Sequence, residues 1–204
     1  AILDADITGP SIPKAFGTHK MPEAEGDYLY PDETSTGIKI MSVNLLLDSE
    51  TTPVLWRGPI IANSVKQFYS DIIWGDIDYM FIDCPPGTGD VPLTIFQSIP
   101  IDGVVVVTTP QDLVSVIVGK AVHMADSMNI PVIGMVENMS YFICPNCSGK
   151  HYIFGHSRLE EVMKELYIGN AIRLPINPDL ADLMDHGRIE EMADNKDLQE
   201  MADL

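Results

Sequence analysis

Short apolar runs alternate with amphipathic stretches along most of the chain. Ala1-Ile-Leu-Asp-Ala-Asp6 reads as the end of a strand, closed by the loop signal Gly9-Pro10. Ile38 to Leu45 alternates apolar and polar positions like a half-buried strand. A turn at Trp56-Arg57-Gly58-Pro59 places Pro59 at a favourable first helical position, and Ile61, Val65, Phe68 and Ile72 then recur at helical spacing as far as Trp74. Tyr79 to Ile82 has the length and composition of a buried strand. Gly103-Val-Val-Val-Val-Thr108 is a continuous apolar run of the kind that parallel sheets cover on both faces. Pro131 to Val136 and Ala171 to Leu174 read as further strands, and helices are predicted over Val91–Ser98, Val114–Met128, Ser157–Leu166 and, acidic in character, from Asp179 onward. His19 to Gly37, rich in polar residues, Pro and Gly, reads as a surface excursion. Strands alternating with helices, joined by right-handed crossovers, predict an α/β fold: a doubly wound, mostly parallel sheet with helices on both faces.

Several of these strands end in polar residues: Asp4 and Asp6, Asp83, Thr108 and Thr109, and Asn138. In doubly wound sheets ligands bind at the carboxyl ends of the strands, so that edge is the candidate site. In an extended strand Asp4 and Asp6 point to the same side and repel each other unless a cation or proton donor lies near. Asp83 is followed by Pro85 and Pro86, then Gly87 and Gly89, and Asp90 is placed to cap the next helix. A carboxylate at a strand tip, beside a glycine-rich turn and a helix N-terminus, suits a metal–phosphate ligand.

Composition narrows the class. With 204 residues, 46% of them hydrophobic and 21% charged, the chain is long enough to bury the core of one globular domain. The net charge of -18 argues against a nucleic-acid backbone as partner. Acidic residues accumulate from Glu160 onward at helical spacing, which reads as a solvated face. No apolar run approaches the roughly 20 residues of a membrane span, and no signal peptide opens the chain, so no membrane partner is expected. Cysteines 84, 144 and 147, odd in number, point to a reducing compartment and a cytoplasmic location. Ala1-Ile-Leu-Asp reads as the inside of a strand, so the natural N-terminus is expected to lie upstream.

Cys144-Pro-Asn-Cys147 sits between a strand and a helix, flanked by aromatics and Gly149, and reads as a hairpin knuckle. Two thiolates at this spacing reach one metal or each other. A single pair supplies two of the four ligands that zinc or an iron–sulfur cluster generally takes. His151 and His156 are candidates to complete a zinc site, and a two-fold dimer lending two cysteines from each chain would complete a cluster. A redox pair is the third possibility. Cys84, beside Asp83, reads as a small buried hydrophobe.

The stretches Leu3-Asp-Ala-Asp-Ile-Thr-Gly-Pro-Ser-Ile-Pro13, Trp56-Arg-Gly-Pro59, Ile82-Asp-Cys-Pro-Pro-Gly-Thr-Gly-Asp90, Thr109-Pro-Gln-Asp112, Val136-Glu-Asn-Met-Ser-Tyr-Phe-Ile-Cys-Pro-Asn-Cys147, Ile153-Phe-Gly155 and Leu174-Pro-Ile-Asn-Pro178 together resemble the Mrp/ApbC family, MinD/ParA-like ATPases that carry iron–sulfur clusters. The resemblance implies an ATP-binding, ATP-hydrolysing carrier that holds a cluster at a homodimer interface and passes it to apoproteins, drawing on a cluster-assembly scaffold. It implies ATP and Mg²⁺ at one site and a shared [4Fe–4S] cluster at another. By resemblance, Asp83 is the Walker-B-type acid that holds Mg²⁺ through water, and Gly87 senses the γ-phosphate. Asp6 orients or activates the attacking water with support from Asp4, Asn138 reads the adenine edge, and the loop at Pro175 closes over the base. Cys144 and Cys147 resemble the cluster-binding pair. The family's glycine- and lysine-rich P-loop, with its first strand and helix, is expected upstream of Ala1, so residues 1–204 are read as one N-terminally incomplete nucleotide-binding domain with a cysteine knuckle at 140–156. Alternatives are a MinD/ParA-like positioning ATPase with structural zinc, or an adaptor without ATPase activity.

Overall fold

In a computed structural model, the structure describes residues 1–7, 9–26, 28–46, 58–192, 199 and 202, with the side chains of 58, 59, 62 and 112–115 left aside. They form two compact units, one of residues 1–99 with 180–193, the other of residues 100–179 with 194–204.

In the first unit, β1 (Ile2–Asp4) lies between β5 (Lys39–Met41) and β6 (Phe81–Asp83), parallel to both. The pairing sets Asp4 beside Asp83 at the carboxyl ends of β1 and β6. Helices α1 (Ile12–Phe16), α2 (Gly58–Ser70) and α3 (Asp90–Ser98) belong to this unit, and Leu3, Ile40, Met41, Val65 and Ile95 are among its fully buried side chains.

Here the structure departs from the sequence reading in several ways. The polar excursion contains a hairpin of β2 (Glu23–Glu25) and β3 (Tyr28–Tyr30), and then β4 (Asp32–Glu33), which pairs antiparallel with β5. Asp32 is buried there because its carboxylate accepts the amide protons of Lys20 and Glu33, which satisfies both oxygens. The strand expected over Ile38–Leu45 ends at Met41 and gives way to a 3₁₀ turn, Val43–Leu46. Asp90 is the first residue of α3, not its cap; Gly89 holds the cap position with no side-chain bond. Strand β6 was expected to be buried, yet Tyr79 and Phe81 are 75% and 66% exposed. The Trp56–Arg57 part of the predicted turn lies outside the described residues.

The second unit is a parallel sheet in the order β10 (Ala171–Pro175), β8 (Val132–Ile143), β7 (Val104–Thr108). Helices α4 (Asp112–Ser127) and α5 (Leu159–Glu165) accompany it, with Val106, Val118, Val122, Met135, Leu159 and Ile168 forming its core. Within this unit β7 is covered on one face only, since Val105 and Val107 are exposed while Val106 is buried. The strand expected to stop at Val136 runs on to Ile143, because its far end pairs antiparallel with β9 (Lys150–His151). Met139 marks the change of direction with a left-handed φ of 55°. Helix α6 (Pro178–Asp185) and a 3₁₀ turn, Ile189–Met192, follow; residues 193–198, 200, 201, 203 and 204 of the expected acidic helix lie outside the described residues.

Candidate functional site

Three carboxylates collect at the ends of β1 and β6. Asp4 is fully buried; its Oδ2 accepts the Ser42 hydroxyl at 3.0 Å and its Oδ1 accepts the amide of Asp6 at 3.2 Å. The amide of Ile12, at the start of α1, bonds to the same carboxylate. Burial nevertheless pushes the Asp4 carboxyl up to about 6; the charge of Asp83 adds to the rise and those donors oppose it. Asp6 lies past the strand end, so it does not share a strand face with Asp4 as the sequence predicts; its Oδ1 accepts the Gly9 amide at 3.2 Å. Asp83 stands at the rim, its carboxyl raised by desolvation and then by Asp6. Cys84 is held neutral: burial, then Asp83 and Asp6, pushes its thiol up to about 12. Gly87 adopts φ +91° with open space where a side chain would sit, so the turn after β6 leaves its backbone accessible.

These acids fit a hard divalent cation. Carboxylate oxygens are the donors Mg²⁺ prefers, and the raised Asp4 and Asp83 are the response of acids crowded together in a desolvated place. Asp83, at the rim, is the most exposed of the three carboxylates. Asp4 is committed to Ser42 and two amides, and is fit to position its neighbours.

At the carboxyl end of β7, Thr108 pairs in register with Glu137 in the middle of β8, and a cavity there is lined by Thr108, Thr109, Gln111, Glu137, Arg158 and Glu161. Glu137 is buried and accepts the hydroxyls of Ser140 at 2.5 Å and Ser157 at 2.9 Å. Arg173, its register partner on β10, brings Nε to 3.7 Å and also donates to Ser157 and Glu160. This web fixes the strand just before Asn138, whose Oδ1 is engaged by the Met139 amide at 2.9 Å. Pro175 sits at the end of β10, half-buried, opposite Tyr141.

The cysteines occupy the tip of the β8–β9 hairpin. The Cys144 amide donates to the Gly149 carbonyl at 2.9 Å and the Ser148 amide to the Cys144 carbonyl at 2.8 Å, closing a tight loop. Both cysteines are free. The amides of Cys147 and Asn146, then the Cys147 thiol, hold the Cys144 thiol below the usual thiol range, which favours the metal-binding thiolate form. Cys144, Cys147 and His151 place their donor atoms within 4.8 Å of one another.

A family model described as "ParA: NUBPL iron-transfer P-loop NTPase" matches residues 1–204. The chain belongs to that family. Among its relatives, an iron–sulfur cluster carrier protein of Methanocaldococcus jannaschii is 46% identical over 188 residues, covering 91% of this chain and 65% of that protein. The chain thus spans somewhat less than two thirds of that carrier's length. A solved nucleotide-binding protein from Archaeoglobus fulgidus, in complex with ADP and with cobalt found by PIXE, superposes with a TM-score of 0.83 at 41% identity, over 98% of this chain and 77% of that one. The MinC:MinD cell division complex of Aquifex aeolicus matches with a TM-score of 0.56 at 15% identity, over 91% of this chain and 72% of that one, which bears on the fold alone. The Mrp/ApbC-type resemblance and the α/β, P-loop NTPase-like fold are therefore correct.

Two groups of site neighbours went unread in the sequence. Ser42 was visible only as one polar position within the alternating stretch Ile38–Leu45. The Ser140–Ser157–Arg173 web around Glu137 joins residues far apart in the chain and left no local signal.

Proposed function

We propose that the chain is the nucleotide-binding domain of an ATP-hydrolysing carrier that binds a [4Fe–4S] cluster between two copies of itself and passes it to apo iron–sulfur proteins. The observation that carries this reading is the cysteine pair at the hairpin tip, its donor atoms within 4.8 Å of each other and of His151, in a chain of an iron-transfer NTPase family. Four thiolates complete a cubane cluster, so two chains contributing Cys144 and Cys147 suffice. The cluster is cargo and ATP is the substrate. Asp83 holds Mg²⁺, Asp6 orients the attacking water with Asp4 behind it, and Gly87 responds to the γ-phosphate; Asn138 and Pro175 contact the base. Hydrolysis, clients and a cluster-assembly scaffold are properties of the whole protein. The charge of -18 disfavours nucleic acid. Among the described residues no helix is long and apolar enough to cross a membrane; the carrier is proposed to work in the cytoplasm.

Anaerobic reconstitution with iron and sulfide tests the reading. Iron and sulfide are expected to bind in proportion to dimer, and Cys144→Ser or Cys147→Ser to abolish binding. Intact binding in those variants, or a loaded monomer, would refute it. Asp83→Ala in the full-length protein is expected to lower ATP turnover by on the order of a hundredfold or more.

A further inference from the structure

Residues 142 and 151 pair across the antiparallel β8–β9 register, and 143 pairs with 150. Strand alternation therefore puts Cys144, two residues beyond Phe142, on the face that carries His151, and turns Lys150 to the opposite face. The contacts agree: Lys150 Nζ lies 4.2 Å over the Tyr141 ring, while His151 joins the two thiols. His156 is engaged elsewhere, its ring 4.8 Å from that of Tyr152. Gly149 gives the donors their room. A Cβ at that position would stand 3.3 Å from Cys147 Sγ and 3.7 Å from His151 Nε2, against two of the three donors.

We propose that His151 is a third protein ligand at this hairpin tip, so that a single copy of the chain forms a Cys₂His site for one borderline-soft divalent ion, zinc being the reference, with its fourth position open. Zinc–sulfur bonds of about 2.3 Å and zinc–nitrogen bonds of about 2.0–2.1 Å set tetrahedral donor separations of roughly 3.4–3.8 Å. The donors are already within 4.8 Å, so they close on an ion by about 1 Å, within the reach of exposed side chains. Capture takes the ion from solution, replaces the thiol protons and releases them to buffer; no electron moves. The inference does not depend on the cluster reading, which needs two chains and leaves His151 without a role. A mononuclear site in one chain gives the protein a metal-holding state before any dimer forms.

The test is a Co²⁺ titration of the reduced, metal-free chain under argon, followed by visible absorption and sedimentation velocity on the same samples. The expected result is one Co²⁺ per chain in the monomer, with sulfur-to-metal charge transfer and intense tetrahedral d–d bands. His151→Ala is expected to weaken binding on the order of tenfold or more and shift those bands, since even outer partners of metal ligands are worth that much; His151→Cys is expected to restore affinity. Gly149→Val serves as a second variant, expected to weaken binding while the thiols of Cys144 and Cys147 remain reactive toward a thiol reagent. X-ray absorption of the zinc form is expected to show two sulfur and the remainder nitrogen or oxygen neighbours. Half an ion per chain found only in dimer, a four-sulfur zinc shell, binding without charge transfer, or an unaltered His151→Ala titration would each overturn the proposal. Iron–sulfide reconstitution of His151→Ala separates the two readings, because the cluster is expected to assemble there normally.

Discussion

Asp4 shows how one buried carboxylate ties stability to pH. It has three hydrogen-bond donors, yet its carboxyl is raised from 3.8 to about 6. A raised carboxyl binds its proton more tightly in the folded chain than in the unfolded one. Its ionisation therefore opposes folding above pH 6, and that penalty is relieved as pH falls from about 6 toward 4. The shift corresponds to about 3 kcal/mol at most. Urea unfolding at pH 7 and pH 5, compared between the parent chain and Asp4→Asn, is expected to show the parent gaining about 1 kcal/mol relative to the variant on acidification. Identical pH profiles would mean that Asp4 does not titrate in this window. Added Mg²⁺ is expected to narrow the difference at pH 7, because a cation beside Asp83 favours the ionised acids.

Among elements, two junctions carry more than their length suggests. α1 ends at Gly17, which meets Gly187 just before the 3₁₀ turn Ile189–Met192; a Cβ on either would stand 2.5 Å from the other's backbone, and both have φ near +67°. Gly187→Ala is expected to lower stability by about 1–3 kcal/mol through overpacking plus backbone strain, read as a lower urea midpoint. The second junction is Arg173, which links β10 to the buried Glu137 on β8 and to Ser157 and Glu160. Arg173→Ala leaves that carboxylate without its cation, and a loss of about 1–3 kcal/mol is expected. Arg173→Lys is expected to recover less than half of it, since an ammonium cannot serve Ser157 and Glu160 with the guanidinium's fixed fork. Calorimetric melting of the three proteins measures both changes.

Across the whole molecule, exposed apolar strand faces and a charge of -18 act in opposite directions on solubility. Phe81 on β6 and Val107 on β7 are 66% and 65% exposed. Phe81→Ser and Val107→Thr are each expected to alter unfolding free energy by less than about 0.5 kcal/mol while reducing binding of a hydrophobic dye. High salt screens the repulsion among the acids, so raising ionic strength is expected to increase self-association of the parent more than of these variants, as followed by light scattering.

Much of the site was legible because its chemistry is written in contiguous stretches. Asp83 through Asp90 fixes a carboxylate, a turn and a helix start within a few residues, and Cys144-Pro-Asn-Cys147 fixes two thiols by spacing alone. The alternation of apolar runs likewise determined the α/β class and most strand positions. Tertiary pairing decided the rest. Burial of Asp4, and with it a carboxyl near 6, required Ser42 and α1 to close over β1. The exposed faces of Tyr79 and Val107 depend on what covers a strand, which a run of valines cannot reveal. His151 joined the thiols only because β8 continues past its polar residues into a hairpin whose register sets the histidine on the cysteine face. A sequence specifies which groups are available; distances between residues remote in the chain come from strand register and packing, and those distances decide charge state and ligand sets.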